Sequence, residues 1–448
     1  DPGFSGYSRA LRSQLASVVD ASVQQPETSP EPCVHCTFCE FAGECEAQWR
    51  AEDSLIYVAG LRSADQVALH EAGVSSLAEL ARRAMPIAGV GEDRQARIVT
   101  QARLQLRARE NANVPPPFQL IGPSGEATWG HGFDQMPEAD GADVFLDFEG
   151  HPFWRADRGL FFLFGLLACD PPGDWSYSTW WAHTPQEEQA ATLALIDYLS
   201  ARRARHPGMH VYHYNHTERS SLERLAADYG VDEVALARLI DTGAFVDLYV
   251  VARNAVQVGT ESYGLKFLER LTAYARGHDI DQGAAAVLEY EKYLVSHDVE
   301  ALDRIASYNA DDVRATRALR DWLLEQRPVD LPFRAAELEP EDDLPELDEQ
   351  VAGLHAFGPG TVEHLLGDVI GYWRREWSAH LAPLRARCAA EHEDLSDDPE
   401  ALAGLIWLSE IERLGKSGRP ITPVMRFTIP EQETGGFRGD DQVIFTTP

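Results

Sequence analysis

Two carboxylates end an apolar segment of the chain, Asp143-Val-Phe-Leu-Asp-Phe-Glu-Gly-His-Pro152, in which Asp147 and Glu149 are two residues apart. On a β-strand, residues i and i+2 point to the same face, so both carboxylates aim at one place while Val144 and Leu146 can be buried on the other face. Carboxylate oxygens suit hard cations such as Mg²⁺, and a pair of such ions can activate water for phosphodiester hydrolysis. The alternative is a strand that simply runs into a polar turn, so the decision rests on partners elsewhere in the chain.

Two later segments supply possible partners. The segment from Val211 to Leu222 is predicted to be a strand that ends in a turn, after which Glu218 begins a helix. Further on, Tyr308 and Asp312 are four residues apart in a predicted helix, which places the phenol and the carboxylate on one helix face. These residues extend the pair at 147 and 149 to a candidate site of four carboxylates and a tyrosine.

The elements that must position these side chains alternate between strands and helices. Strands are predicted over 144–148, 160–168, 175–181 and 210–214, with a helix over 186–205 after the third strand and further helices up to residue 326. This order predicts an α/β fold of the ribonuclease-H-like type, in which a mixed sheet is flanked by helices. Within it, Asp247 is a weaker fifth candidate for the carboxylate site, but we expect it to cap a helix, and we expect Asp311 to be a solvated helix residue.

On these motifs the sequence resembles the DEDD superfamily of DnaQ-like exonucleases in its tyrosine-containing form, and residues 143–325 look like a YprB-type ribonuclease-H-like domain. Asp147-x-Glu149 matches the first motif and Tyr308-x₃-Asp312 the third. The second motif falls on Asn215 to Leu222, where Glu218 replaces the usual Asp. The resemblance implies that Asp147, Glu149, Glu218 and Asp312 hold two Mg²⁺ or Mn²⁺ ions, that Tyr308 orients the attacking water, and that the enzyme is a 3′–5′ exonuclease acting on single-stranded DNA ends.

Four of the six cysteines lie close together near the start of the chain, at Cys33, Cys36, Cys39 and Cys45. Such spacing predicts one shared metal group, either a 4Fe–4S cluster or a tetrahedral zinc ion, with unrelated thiols as the remaining alternative. The whole chain also resembles the middle of a RecB-like nuclease of the kind fused to a helicase. That resemblance implies that Cys36-x₂-Cys39-x₅-Cys45 closes a RecB-like domain around a 4Fe–4S cluster and that a helicase domain is attached.

Two glycine turns precede amphipathic helices between residues 55 and 110, at Gly60 and at Gly89-Val-Gly91. Both resemble helix-hairpin-helix units, whose backbone N–H groups and helix N-termini contact DNA phosphates. Arg62 stands where the motif has a second glycine, and Gln95 where a small residue is usual. A purely structural helical bundle is the alternative.

Six segments follow from these patterns. We expect the tail of a RecB-like nuclease with the cysteine cluster over 1–50, helix-hairpin-helix-like helices over 51–112, a linker over 113–140, the ribonuclease-H-like exonuclease domain over 141–330, an acidic linker over 331–350, and over 351–448 a helical region with a β-like end near Met425 that leads into a further domain. Because the chain starts at Asp1, we expect it to be part of a longer protein.

The chain carries 72 acidic and 39 basic residues, a net charge of -33, which argues against a generally basic surface that coats nucleic acid. It shows neither a signal peptide nor an apolar run long enough to span a membrane, so a cytoplasmic location is expected. The rival to an exonuclease is a non-catalytic module that binds nucleic acid and positions it for an attached nuclease and helicase.

Overall fold

The computed structural model describes residues 12–13, 15–16, 30, 32, 36, 39–110, 114–123, 132–155, 158–170, 173–277, 283–336, 345–358, 360–370, 372, 395, 401–414 and 420–429. They belong to two compact units, Asp1–Tyr57 and Val58–Pro448. In the first unit, helix α1 (Ala42–Ala51) precedes a 3₁₀ turn at Leu55–Tyr57. Trp49 of α1 is buried, and its indole Nε1 donates a hydrogen bond to the Pro30 carbonyl at 2.8 Å.

The second unit begins with helices α2 (Ser63–Glu71), α3 (Leu77–Arg82) and α4 (Glu92–Glu110). Gly60 and Gly89 both have the positive φ that favours glycine, which explains the two turns seen in the sequence. Arg94 of α4 donates to the Gly60 carbonyl and to Asp65, and so ties one turn to the other. Gln95, which stands where the motif has a small residue, has a structural role. Its side chain closes the loop before α4 through hydrogen bonds with Ile87 N and Met85 O.

The next elements in chain order form the α/β layer. They are β1 (Phe118–Leu120), β2 (Val144–Arg155), β3 (Arg158–Cys169), β4 (Trp175–Trp181), α5 (Pro185–Arg205), β5 (Val211–His213), α6 (Thr217–Tyr229), α7 (Glu233–Asp241), β6 (Phe245–Asp247), α8 (Leu248–Ala255), β7 (Val256–Val258), α9 (Leu265–Leu268), α10 (Gly283–Ser296) and α11 (Val299–Gln326). Short 3₁₀ turns lie at Gly132–Gln135 and Glu269–Leu271. In the described part of the chain, five strands form the main sheet in the order β4-β3-β2-β5-β6, and β1 pairs with β7.

The main sheet is mixed, as the sequence predicted. The hairpin strands β2, β3 and β4 are antiparallel, whereas β5 and β6 join on the other side of β2 as parallel strands. Val144 and Leu146 are buried on one face, in a core shared with helices α5, α6 and α7. Helix α11 packs on the opposite face of β2 and β3, so the side chains that point from that face meet one long helix.

The C-terminal part differs from expectation in two respects. Helix α12 (Pro345–His355) starts inside the predicted acidic linker, where Pro345 at its first position has a φ already suited to a helix. Residues 362–370 are also helical, and then β8 (Ile406–Leu414) pairs with β9 (Pro420–Thr428) in an antiparallel hairpin. The sequence predicted a strand only near Met425 and missed β8. Among the described helices, none is long and apolar enough to cross a membrane.

Candidate active site

The first two carboxylates extend from the middle of the sheet. Asp147 lies opposite Gly165 of β3 and Glu149 lies opposite Leu163, so both project from the face that α11 covers. A register shift follows Glu149 directly, and such a bulge bends the strand next to the site. The i, i+2 spacing in the sequence therefore predicted the shared face correctly.

Helix α11 brings the third carboxylate to the same place. Oxygen atoms of Asp147, Glu149 and Asp312 all lie within 4.8 Å of one another. Glu149 is 8% exposed and the Asp312 side chain 14%, so little water screens these charges. Tyr308, one turn before Asp312, is also buried. The structure thus brings together residues that the sequence places on a strand and on a distant helix.

Burial raises the pKa values of all three carboxylates, and for Asp147 and Glu149 the neighbouring carboxylates raise them further. Burial raises the pKa of Asp147 well above its usual range, and the neighbouring charges of Asp312 and Glu149 raise it further. Burial and the charge of Asp312 likewise raise the pKa of Glu149 to about 8. The pKa of Asp312 is raised by burial too, although Arg276 opposes that shift. Three carboxylate oxygens held close together in a buried site form a donor set that suits a hard divalent cation.

Glu218 lies outside that group of three. It is buried at the start of α6, just beyond the end of β5, and its Oε2 lies 3.6 Å from Nδ1 of His213. It is close enough for its charge to raise the pKa values of Asp147 and Glu149. Glu218 therefore lies at the border of the carboxylate group, next to the imidazole of His213.

An asparagine that the sequence reasoning missed lies between the first two carboxylates. Asn309 of α11 is fully buried, and its Nδ2 donates to Asp147 Oδ2 at 2.6 Å and reaches Glu149 Oε1 at 3.5 Å. Its Oδ1 accepts a 2.7 Å hydrogen bond from the Tyr177 hydroxyl of β4. The signal available in the sequence was the spacing of three between Asn309 and Asp312, which places them on one helix face.

Two basic residues that the sequence reasoning also missed face the carboxylates, Lys266 from α9 and Arg276 from the segment between α9 and α10. Arg276 lies 2.7 Å from Asp312 and 2.8 Å from Glu269, with only 12% of its side chain exposed. Lys266, one of three lysines in the chain, lies 5.1 Å above the Tyr308 ring. Its charge lowers the pKa values of Glu149 and Asp312, which opposes the larger effect of burial.

Asp247 and Asp311, the two other aspartates considered in the sequence analysis, both form hydrogen bonds that hold local structure. Asp247 caps α8 by accepting from Tyr249 N at 2.9 Å, which confirms the predicted cap. Asp311 was wrongly expected to be solvated, because it is 5% exposed and accepts from the Tyr274 hydroxyl at 2.6 Å and from Gly277 N at 3.1 Å. Asp311 thus holds the loop that carries Arg276 against α11.

The cysteine cluster is described only in part. Cys36, Cys39 and Cys45 are partly exposed, and the backbone N–H of Cys39 donates to the Cys36 carbonyl at 3.4 Å. Cys33 lies outside the described residues. A shared iron–sulfur cluster or zinc ion at these thiols stays a prediction.

Comparison with known families finds a match that covers the main sheet. Residues 144–324 match the family model of the RNase_H superfamily. The chain therefore contains a ribonuclease-H-like domain. No curated protein and no solved structure gives a significant match. The matched range begins with β2 and ends in α11, so it contains all five strands of the main sheet and every carboxylate of the candidate site.

Proposed function

We propose that the ribonuclease-H-like domain hydrolyses phosphodiester bonds of nucleic acid with the help of divalent metal ions. The observation that carries this proposal is the convergence of Asp147, Glu149 and Asp312 within 4.8 Å on the buried side of a ribonuclease-H-like sheet. Burying three like charges together is costly unless a cation compensates them. Arg276 compensates part of this charge at Asp312, and a metal ion would compensate the charges of Asp147 and Glu149.

Asp147, Glu149 and Asp312 would hold the ions, which we propose to be two Mg²⁺ or Mn²⁺, with Glu218 at the border of the site. When bound, such ions lower the pKa of a coordinated water and stabilise the leaving oxygen. The protein's own part is to present the oxygens from two rigid elements, β2 and α11, in a place that excludes most water. Rigid placement matters because displacing a catalytic group by 1 Å can lower the rate about 100-fold.

Tyr308 would orient the attacking water rather than deprotonate it. Burial and the charges of Asp312, Glu149 and Asp147 all raise the pKa of Tyr308 far above its usual value, so the phenol stays protonated at neutral pH. A protonated phenol can donate to, or accept from, a water that sits near the carboxylates. The ring is held in place by its burial and by Lys266 above it.

The finer substrate assignment rests on the resemblance of the motifs to DnaQ-like exonucleases. We propose 3′–5′ exonuclease action on single-stranded DNA ends, in a DNA repair or processing role. We further propose, from the resemblance to a RecB-like protein, that Cys33, Cys36, Cys39 and Cys45 hold a 4Fe–4S cluster and that a helicase domain is attached. The helices over 51–112 would contact DNA phosphates through the turns at Gly60 and Gly89.

The test is cleavage of end-labelled nucleic acid by the purified chain. Single-stranded, duplex and forked DNA and the matching RNAs are incubated with Mg²⁺, Mn²⁺ or EDTA, and 5′ and 3′ labels report the direction of cleavage. We expect metal-dependent shortening of single-stranded DNA from the 3′ end, lost in EDTA and in an Asp147→Asn variant. Absence of cleavage on every substrate would reject the nuclease.

One observation favours a non-catalytic nucleic-acid-binding module instead. Arg276 already forms an ion pair with Asp312, so part of the carboxylate charge is compensated by the protein itself. A site that evolution had converted to a structural role would be expected to contain such a pair. Retained DNA binding with no cleavage under any metal condition would support this second function.

A further inference from the structure

We propose that Asn309 and Tyr177 form a latch that sets the orientation of the Asp147 and Glu149 carboxylates and thereby tunes metal binding. The latch is defined as these two side chains and the hydrogen bonds that join them to the carboxylates. This inference rests on the proposed function, because it assigns positioning residues to that same metal site. Neither residue carries a charge or belongs to the motifs that mark the site in the sequence.

The direction of the Asn309 amide follows from the chemistry of its neighbours. Carboxylates that hold a metal ion are ionised and only accept hydrogen bonds, so with a metal ion bound the Nδ2 end would have to face Asp147 and Glu149, as it does in this structure. This leaves Oδ1 on the other side, where the Tyr177 hydroxyl donates to it at 2.7 Å. Tyr177 thus gives the buried oxygen its partner, without which the amide would lose its fixed position.

Gly165 of β3 leaves space for the latch because glycine has no side chain. A Cβ at Gly165 would lie 1.6 Å from Asn309 Oδ1 and 2.9 Å from the Tyr177 hydroxyl. Gly165 is also the cross-strand partner of Asp147. Glycine here therefore lets α11 approach the sheet closely enough for Asn309 to reach the Asp147 carboxylate.

Asn309 would change the metal affinity without contacting the ion, because it hydrogen-bonds to Asp147, which would be a ligand. Its 2.6 Å bond occupies one acceptor position on Oδ2 and leaves the other acceptor positions of the carboxylate available to a metal ion. Loss of such a partner commonly weakens metal affinity about 10- to 100-fold. Tyr177, one bond further away, should matter less, by about 3- to 10-fold, as expected for one neutral hydrogen bond.

The experiment measures Mn²⁺ binding to the whole chain without substrate, by calorimetry and by the electron spin resonance of free Mn²⁺. The variants are Asn309→Leu, Tyr177→Phe and the double variant. We expect weaker binding of about 10- to 100-fold for Asn309→Leu and about 3- to 10-fold for Tyr177→Phe. The double variant should match Asn309→Leu, because Tyr177 acts through Asn309. Tyr198→Phe, which removes a hydroxyl on the opposite face of the sheet, should bind Mn²⁺ like the wild type.

The outcomes separate the latch from the nuclease. Mn²⁺ binding that is unchanged in Tyr177→Phe and in Asn309→Leu would overturn the latch even if the wild type cleaves DNA. A wild type that binds Mn²⁺ and responds as predicted, but cuts no substrate, would leave the latch standing and reject the nuclease. Failure of the wild type to bind Mn²⁺ would reject both. Should Asn309→Leu fail to fold, Tyr177→Phe decides alone, since it keeps the ring, and a purely structural role would lower its melting temperature without moving its Mn²⁺ affinity.

Discussion

The guanidinium of Arg276 lies 2.7 Å from the Asp312 carboxylate, on the edge of the group that Asp312 forms with Asp147 and Glu149. The same guanidinium lies 2.8 Å from Glu269, so it links the segment after α9 to α11. Arg276 therefore supplies positive charge to the site when no metal ion does. A metal ion bound at Asp312 would take over part of that role.

This relationship predicts that Arg276→Gln lowers the stability of the metal-free protein by about 1–3 kcal/mol, the usual range for a lost charged hydrogen bond. Mg²⁺ should raise the melting temperature of the variant more than that of the wild type, because the ion replaces the missing charge. Thermal melts with Mg²⁺ and with EDTA measure both effects. Arg304→Gln is the matched control, since the Arg304 side chain that pairs with Glu289 is exposed and screened by solvent, so its loss should change the stability little. Equal Mg²⁺ effects in Arg276→Gln and wild type would mean that metal and arginine do not share Asp312.

The sequence could predict the features of this site that depend on residues close together in the chain. The spacing of Asp147 and Glu149 predicts a shared strand face, and that of Tyr308 and Asp312 a shared helix face, because both are fixed by local geometry. The fold class followed from the order of strands and helices. The ribonuclease-H-like resemblance then indicated which strand and which helix should meet.

The parts that the sequence did not predict depend on contacts between distant elements. Tyr177 reaches Asn309 because β4 pairs with β3 and α11 packs on β3, and nothing near residue 177 in the sequence marks it as part of a site. Arg276 is one of many arginines, and its role follows from a loop that Asp311 anchors. Asp311 was predicted to be solvated because an acidic residue beside a candidate ligand has no local signal of burial.

The raised pKa values predict an unusual pH dependence for the metal-free protein. The folded state holds a proton on Glu149 up to about pH 8, whereas the unfolded chain releases it near 4.5. Between these values the folded state binds more protons, so the free energy of unfolding should fall as pH rises. Urea denaturation in EDTA, from about pH 5 to about pH 8, measures this slope. Glu149→Gln should flatten it, and a wild-type slope of the opposite sign would contradict the prediction.

Replacing Asp147 by Asn should separate stability from activity. The change removes one of three crowded charges, so the metal-free variant should be at least as stable as the wild type in thermal melts. Cleavage and Mn²⁺ binding should both be lost, because a neutral amide is a poorer ligand than a carboxylate. Asp303→Asn alters an exposed residue of the same helix that carries Asp312 and should change neither property. A variant that cleaves at the wild-type rate would remove Asp147 from the site.

The cysteine cluster predicts a coloured protein. Anaerobically purified chain should be brown and contain iron, and Cys45→Ser should lose both colour and iron because one thiolate ligand is removed. Cys169→Ser is the control, since Cys169 is buried in β3 and its sulfur accepts a hydrogen bond from Gly173 N. Colourless protein with stoichiometric zinc would replace the iron–sulfur assignment, and protein with neither metal would reject both.

Tyr308→Phe tests whether the candidate site performs chemistry. The change removes one hydroxyl and keeps the buried ring beneath Lys266, so the fold and the contact with the ammonium group should persist. If the hydroxyl positions the attacking water, the rate of the chemical step should fall by about 10²- to 10⁴-fold, the range typical of positioned proton-transfer groups. Single-turnover cleavage of labelled single-stranded DNA in Mg²⁺ measures that step.

The same variant also separates chemistry from binding. DNA affinity measured in Ca²⁺, which occupies oxygen sites but supports cleavage poorly, should be the same for Tyr308→Phe and wild type. Tyr198→Phe, on the opposite face of the sheet, should retain both wild-type affinity and wild-type cleavage rate. Because the pKa of Tyr308 is far above neutral, the pH–rate profile of the wild type should show no deprotonation of this phenol. Equal cleavage rates for wild type and Tyr308→Phe would assign the tyrosine to the core and leave the water to be positioned by the carboxylates alone.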